Sequence, residues 1–579
     1  MFKGVNASDG FGIGVAQVAV APDVSFTPVA PEDPEKEKQR YEAALEKFVA
    51  QTNAQIERMK VSVGEEAALI MGAHIEFAED EGIHDTVNSS IDAGMCAEQA
   101  VSEAYNTYYT MFSQMDDELF RERATDVADV KTGLLADLLG KEVVDLSTLP
   151  ENSIIVVKEL TPSMTADIDK ENVAGIVTET GGRTSHSAII ARALEIPAVL
   201  SVEDATEHIK TGDMVIVDGS AGDVLVQPSK EDLEAYRAKA KAYADDKAAL
   251  ETYRGKKTIT ADGETKLLVA NIGNPDDANA AAEHDAEGIG LFRSEFLFMD
   301  AKELPSEDEQ FAAYQKVALR MKGRPIIIRT LDVGGDKEIP YMNLQKEDNP
   351  FMGFRAIRYC LNNPDQYKVQ LTALLRASAF GDIKIMLPLV TALDEVRKAR
   401  SLVEECKKEL DERGVSYDPD IEVGTMIETP AASLIADNLA EVCDFFSIGT
   451  NDLIGYTMCA DRGNDRVAYL YEVYQPAVLR SLKRIISEGN KRGIMVGMCG
   501  EAAADPLLIP VLISFGLGEF SVSAPSILRT RRIISQWTKE EADVLTEKVL
   551  TLKTAAAGRR KVGSLLSRGS VRPLVSVGA

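Results

Sequence analysis

The chain is poor in the residues that build metal knots and disulfide frames. Its 579 residues include one tryptophan, five histidines and six cysteines. The cysteines show no tight paired spacing, which excludes a small disulfide scaffold and reads as free thiols in a reducing compartment. The histidines, at 74, 84, 186, 208 and 284, are too dispersed for a His/Cys ligand motif. Positive charge is also short: 63 Lys and Arg stand against 93 Asp and Glu, a net charge of −30, which opposes a broad footprint on nucleic acid or anionic lipid. No apolar run approaches the roughly 20 residues needed to cross a bilayer, and MFKGVNASDGFGIGVAQVAV lacks the pattern of a secretory leader, so a cytoplasmic protein is expected. What remains is ordinary globular composition, 45% hydrophobic and 27% charged, in a chain long enough for two to four domains.

Residues 1 to about 20 read as short strands divided by Asp9, Gly10, Gly12 and Gly14. From Pro34 to Leu139 the periodicity is helical. Near Lys141 the pattern changes to the β-branched runs IIVV, GIVT, PAVL and MVIVDG, so the helical block reads as an insertion in a small α/β domain. The domain boundaries expected are 1–20 with 141–228 for that α/β domain, 21–140 for the helical insertion and 229–260 for an alanine- and charge-rich helical linker. A barrel at 261–579 completes the set, with a disordered end after Val575. Eight apolar runs define it: LLVANIG, GIGLFRSE, PIIIRTLD, IKIMLPLV, EVGTMIET, FFSIGTN, GIMVGMCG and EFSVS. Eight strand units with intervening helices predict a (β/α)8 TIM barrel, whose chemistry belongs at the carboxyl ends of the strands.

Two places concentrate reactive groups. In GIVTETGGRTSHSAIIARALEIPAV, a glycine turn presents His186 at a helix start, where backbone NH groups favour a phosphate on the imidazole and Arg183 and Thr184 can assist. The alternative is that Ser185 simply caps the helix and His186 is a half-buried polar residue. At the barrel rim, Arg293, Arg329 and Arg355 can grip a small multiply charged anion through planar donor forks. Glu428 and Asp452 can complete the oxygen shell of Mg²⁺ or work as a general acid and base. Arg462 can reach a phosphate or form a loop salt bridge. Cys499, between glycines, can protonate a carbanion-like carbon or be an incidental buried thiol.

Taken in order, the motifs GGRTSHSAIIAR, GIGLFRSEFLFM, RTLDVGGDK, NPFMGFRAIR, GTMIETPAA, SIGTNDLIGYTMCADR and VGMCGE resemble the Enzyme I family of the phosphoenolpyruvate-dependent sugar phosphotransferase system. The resemblance implies a swivelling phosphohistidine α/β domain with an inserted helical phosphocarrier-binding domain, followed by a phosphoenolpyruvate-binding barrel that forms a homodimer. It implies phosphorylation of His186 at Nε2, substrate binding by Arg293, Arg329 and Arg355, Mg²⁺ held by Glu428 and Asp452, and phosphoryl contacts from Asn451 and Arg462. Cys499 becomes the proton donor to C3 of the pyruvate enolate, and the acceptor is the histidine phosphocarrier protein. The segment MGAHIEFAEDEGIHDTVN departs from the family's leucine-rich continuation. Phosphoenolpyruvate synthase and pyruvate phosphate dikinase share similar phosphohistidine and barrel domains, but they carry a large ATP-binding domain for which this chain has no adequate segment.

Overall fold

A computed structural model describes residues 1–560 apart from 20–23, 32, 63–64, 115–117, 142–145, 147–148, 162–163, 165–167, 183–184, 300, 336–338, 343, 463 and 465; for 59–62, 65–70, 118–122, 186, 189, 193 and 340 it describes the backbone only. The expectation for the end after Val575 lies outside these residues. The chain divides into two compact units that meet in sequence at Lys247 and Ala248.

The first unit is built on a mixed eight-stranded sheet. Its strands are β1 (Phe2–Lys3), β2 (Val5–Ser8), β3 (Phe11–Ala19), β4 (Ser153–Val157), β5 (Val173–Thr178), β6 (Ala198–Leu200), β7 (Met214–Asp218) and β8 (Asp223–Val226), in the spatial order β1-β8-β7-β3-β4-β5-β6-β2. The β3–β4, β4–β5 and β5–β6 pairs are parallel. Strands β1 and β2 lie at opposite edges yet only Gly4 separates them, so the sheet must curl until its edges nearly meet. Between β3 and β4 the described residues make five helices, α1 (Pro34–Ser62), α2 (Glu65–Ala78), α3 (Glu81–Asp92), α4 (Ala97–Ser113) and α5 (Glu118–Leu139). Tyr41, Ile83, Val101, Tyr105, Val130 and Leu134 form their common core. Asp80 caps α3 by accepting from the Ile83 N–H at 2.9 Å. A long helix, Lys230–Glu251, follows the sheet and buries none of its side chains, as its charge-rich sequence predicts.

The second unit is a closed parallel barrel of β9 (Leu267–Ile272), β10 (Ile289–Arg293), β11 (Ile326–Arg329), β12 (Ile383–Leu387), β13 (Val423–Ile427), β14 (Phe445–Ile448), β15 (Met495–Met498) and β16 (Glu519–Val522). Each of the eight apolar runs read from the sequence supplies one of these strands. Alternation along each strand sorts its side chains. Ile326, Ile328, Val423, Ile427, Phe446 and Ile448 join the core beneath the outer helices. Leu291, Ile327, Met386, Met426, Phe445 and Cys499 meet in a separate interior cluster. The barrel is therefore plugged by side chains. Among the described residues no helix is long and apolar enough to cross a membrane.

Candidate active site

Strand parity assembles the rim. Leu291, Ile327 and Met426 point inward, so the residues two positions later, Arg293, Arg329 and Glu428, project into the mouth at the carboxyl ends of β10, β11 and β13. Asn271, Ser447 and Cys499 share that parity on β9, β14 and the end of β15. Cys499 thus sits on the apolar plug, with the charged groups above it.

Arg329 is buried and pairs with Glu295 and with Asp332, the latter at 3.2 Å. Arg355 is also buried and arrives from a loop. Its Nε and Nη2 donate to Asp332 Oδ1 at 3.3 and 3.0 Å, its Nη2 to Asp452 Oδ2 at 3.5 Å, and its Nη1 to the Tyr456 hydroxyl at 3.3 Å. The approach depends on Gly334, where a Cβ would lie 2.7 Å from the Arg355 Cβ and φ is +102°. Ala356 adopts φ 54°, a strained value beside a charged cluster. Arg293 is half-buried and has no ion-pair partner among the described residues, which leaves its guanidinium available to an anion.

Asn451 and Asp452 open the helix Thr450–Met458, so backbone N–H groups face the same mouth. Tyr456, one turn beyond Asp452, returns to the site from the same helix face. Arg462 is exposed and near Tyr471, where it opposes the burial that pushes that hydroxyl up to about 12, while the Tyr471 hydroxyl donates to the Asn451 carbonyl at 2.8 Å. The structure thus brings Arg293, Arg329, Arg355, Glu428, Asn451, Asp452 and Cys499 to one rim, with Arg462 at its margin. Glu295 and Asp332, which carry no role in the sequence reading, are the counter-ions of the two buried arginines. Tyr456 and Asn271 were missed, although helical spacing from Asp452 and strand-end position, respectively, mark them.

Glu428 is buried, and its Oε1 accepts from the Leu389 N–H at 2.6 Å. Leu389 holds φ 53°, another strained backbone position at the mouth. Burial, then repulsion from Asp452 and Asp332, pushes the Glu428 carboxyl well above the ordinary carboxylate range. Among the described residues, Glu295, Asp332, Glu428 and Asp452 are four carboxyl groups gathered with the three guanidinium groups of Arg293, Arg329 and Arg355. Among the described residues no group of three His, Cys, Asp or Glu side chains forms a ready metal cage. Two hard oxygen donors that repel one another do fit a divalent cation whose remaining ligands come from substrate and water.

Burial pushes the Cys499 thiol up to about 11, against opposing pulls from Ser447, Arg329 and Arg293. A thiol so held is protonated at neutral pH and can act as an acid. Its main chain is fixed on both sides: the Cys499 N–H donates to the Ile448 carbonyl at 3.1 Å, and Asn271 Nδ2 donates to the Cys499 carbonyl at 3.0 Å.

In the first unit, His186 is the first residue of the helix His186–Ala193 that follows β5 and the Gly181–Gly182 turn. Ser185 caps this helix, accepting from the Ala188 N–H at 3.4 Å, and Ser187 Oγ donates to the Leu160 carbonyl at 3.0 Å. Both readings of the segment meet here, since a capped helix start is also an anion-favouring one. Arg183, Thr184 and the His186 side chain lie outside the described residues.

Comparison with known proteins matches three consecutive segments. Residues 3–123 match the N-terminal domain of PEP-utilising enzymes, 149–222 their mobile domain and 247–539 their PEP-binding domain. The phosphoenolpyruvate-protein phosphotransferase of Bacillus sp. (strain S) is 47% identical over 553 residues, covering 95% of this chain and 96% of the relative. The chain belongs to the phosphoenolpyruvate-protein phosphotransferase family. Members from Geobacillus stearothermophilus and Bacillus subtilis (strain 168) are 47% and 44% identical, again over 95% of this chain and 96% and 97% of theirs. This is an enzyme family, EC 2.7.3.9, and the segment matched as PEP-binding is the one that carries the charged rim.

Proposed function

We propose that this enzyme transfers the phosphoryl group of phosphoenolpyruvate to its own His186 and then to the histidine of a phosphocarrier protein, releasing pyruvate as the general first step of sugar uptake by the phosphotransferase system. The observation that carries this reading is the convergence of three arginines, two mutually repelling carboxylates and a protonated thiol on one barrel rim. Arg293, Arg329 and Arg355 bind the carboxylate and phosphate of the substrate, and Asn451 and Arg462 contact the phosphoryl oxygens. Glu428 and Asp452 would hold Mg²⁺, which when bound supplies positive charge to phosphoryl oxygens. The His186 imidazole forms an N–P bond as the bridging P–O bond breaks, and the leaving enolate takes a proton at C3 from the Cys499 thiol.

In this reading, residues 1–20 and 141–228 form the phosphohistidine domain and 21–140 the carrier-docking domain. Residues 229–260 form the linker, and 261–579 form the barrel and dimer contact of a cytoplasmic homodimer. The direct test is incubation with [³²P]phosphoenolpyruvate, Mg²⁺ and the carrier, followed by peptide mapping. Label should appear at His186 and then on the carrier, without ATP. Equal labelling of the carrier by His186→Ala would defeat the route.

A further inference from the structure

The inner wall of the barrel carries a buried hydroxyl that the proposed reaction leaves unused. Ser447 is fully buried on β14, two residues beyond Phe445 and therefore on the inward parity that also carries Cys499. Its Oγ makes no hydrogen bond among the described residues. An unmade bond of this kind is costly in an apolar interior, and alanine would fill the same place without the cost. Ser447 pairs in register with Gly497, two residues before Cys499, and the Cys499 N–H donates to the carbonyl of the next residue on β14, Ile448, at 3.1 Å, which sets the hydroxyl and the sulfur on the same inward face; Ser447 also pulls the thiol back down against burial. In the resting protein the thiol lies 3.7 Å from the Ile448 carbonyl oxygen. The hydroxyl thus shares the inward face with the sulfur while the thiol is turned toward a carbonyl.

The need for this hydroxyl arises after proton transfer. Delivery of the thiol proton leaves a thiolate above an apolar plug made of Leu291, Ile327, Met386, Met426 and Phe445. The cations that act on the thiol, Arg329 and Arg293, do not meet that need fully, since Arg329 is already paired to Glu295 and Asp332 and Arg293 has the substrate to hold. The main chain of Cys499 is fixed, so only its side chain can turn.

We propose that Ser447 is a positioning residue for Cys499, donating a hydrogen bond to the thiolate formed when the thiol proton passes to C3 of the enolate. The inference rests on the assignment of Cys499 as the acid. In the step, the enolate π pair forms the new C–H bond as the S–H bond breaks, and sulfur keeps its electron pair. Ser447 retains its own proton throughout, and solvent water reprotonates the thiolate after pyruvate leaves.

The reverse of proton delivery can be read separately from phosphoryl transfer. Phosphorylated full-length enzyme with Mg²⁺ and methyl-deuterated pyruvate is followed by NMR for deuterium wash-out across pH, while [³²P]phosphoenolpyruvate labelling of His186 is measured in parallel. Ser447→Ala should slow wash-out on the order of tenfold and move its rising limb to higher pH, with labelling falling several-fold less. Ser447→Cys, which keeps a weak donor of similar size, should recover part of the loss, and Ser447→Ala should add nothing in a Cys499→Ala background. Unchanged wash-out and pH limb in Ser447→Ala, with wash-out lost in Cys499→Ala, overturns the role of Ser447 and leaves that of Cys499 standing. Equal loss of labelling and wash-out with no movement of the pH limb also overturns it, as a packing effect. Full wash-out in Cys499→Ala instead removes the acid assignment, and the Ser447 proposal with it.

Discussion

Glu428 and Glu519 are both fully buried glutamates on inward positions of the same barrel, and burial pushes both carboxyls upward. Glu428 stands at the carboxyl mouth among Arg329, Arg355, Asp332 and Asp452. Glu519 stands at the opposite mouth, as the first residue of β16, where its pKa rises to about 7 and its Oε1 has no hydrogen-bond partner among the described residues. Gly497 leaves it room, since a Cβ there would lie 2.5 Å from Oε1. Lys384 on β12, four places away in the ring of eight strands, opposes that rise, so the two groups act on each other through the barrel interior. Desolvation alone therefore perturbs a carboxyl at either end. What distinguishes the reactive mouth is the convergence of many charges from different strands.

Glu428→Gln should have the largest effect. The amide oxygen can keep the Leu389 hydrogen bond while the negative charge and the metal-ligand character are lost. Phosphoenolpyruvate-dependent labelling of His186, followed by rapid quench, should fall by on the order of a hundred- to a thousandfold. Barrel stability should not fall, because the neutral amide replaces a carboxyl whose ionised form is disfavoured by burial and by Asp452 and Asp332. Full labelling would put Glu428 on the same footing as Glu519.

Arg329→Lys should come next, with a loss in kcat/KM of roughly ten- to a hundredfold. One ammonium cannot serve Glu295, Asp332 and a bound anion in the planar geometry a guanidinium provides. An undiminished kcat/KM would show that positive charge alone suffices at this position.

The rim was legible from sequence to the extent that strand parity fixes it. Arg293, Arg329 and Glu428 close apolar strands two residues after an inward side chain, Cys499 ends another on the inward parity, and period-two alternation needs no tertiary knowledge. Arg355, Asp452 and Arg462 come from loops and a helix, and the sequence assigned them to the rim by their place after barrel strands, not by strand parity. Pairing escaped the sequence altogether: nothing local commits Arg329 to Glu295, 34 residues earlier, because that contact exists only once β10 and β11 lie side by side. The curled sheet of the first unit was hidden for the same reason. That β1 and β2 flank opposite edges follows from closure, which no short window of sequence contains.

Glu519→Gln tests the other half of the comparison. A carboxyl at about 7 when folded and about 4.5 when unfolded favours the fold in full below pH 4.5, and that contribution is lost as pH rises through 7. The amide does not ionise, so the variant should gain on the natural protein over this interval, by up to about 3 kcal/mol at pH 8. Trp537 is the single tryptophan and lies buried in the barrel core, so its fluorescence in urea reports barrel unfolding in the full chain. Labelling of His186 should be unchanged. A stability difference independent of pH would mean that Glu519 keeps its charge at neutral pH.

Lys384→Met should have the smallest effect and the most specific one. Lys384 holds Glu422 at 2.8 Å near the surface, a pair worth at most about 1 kcal/mol, and it also eases ionisation of Glu519. Removing the ammonium raises the Glu519 pKa further, so above pH 7 the loss should grow by a few tenths of a kcal/mol beyond that seen at pH 5. In a Glu519→Gln background the growth should vanish while the pH-independent part, from Glu422, remains. Persistence of the pH-dependent part in the double variant would show that Lys384 answers to another carboxyl, and that the two ends of the barrel differ in more than the number of charges they gather.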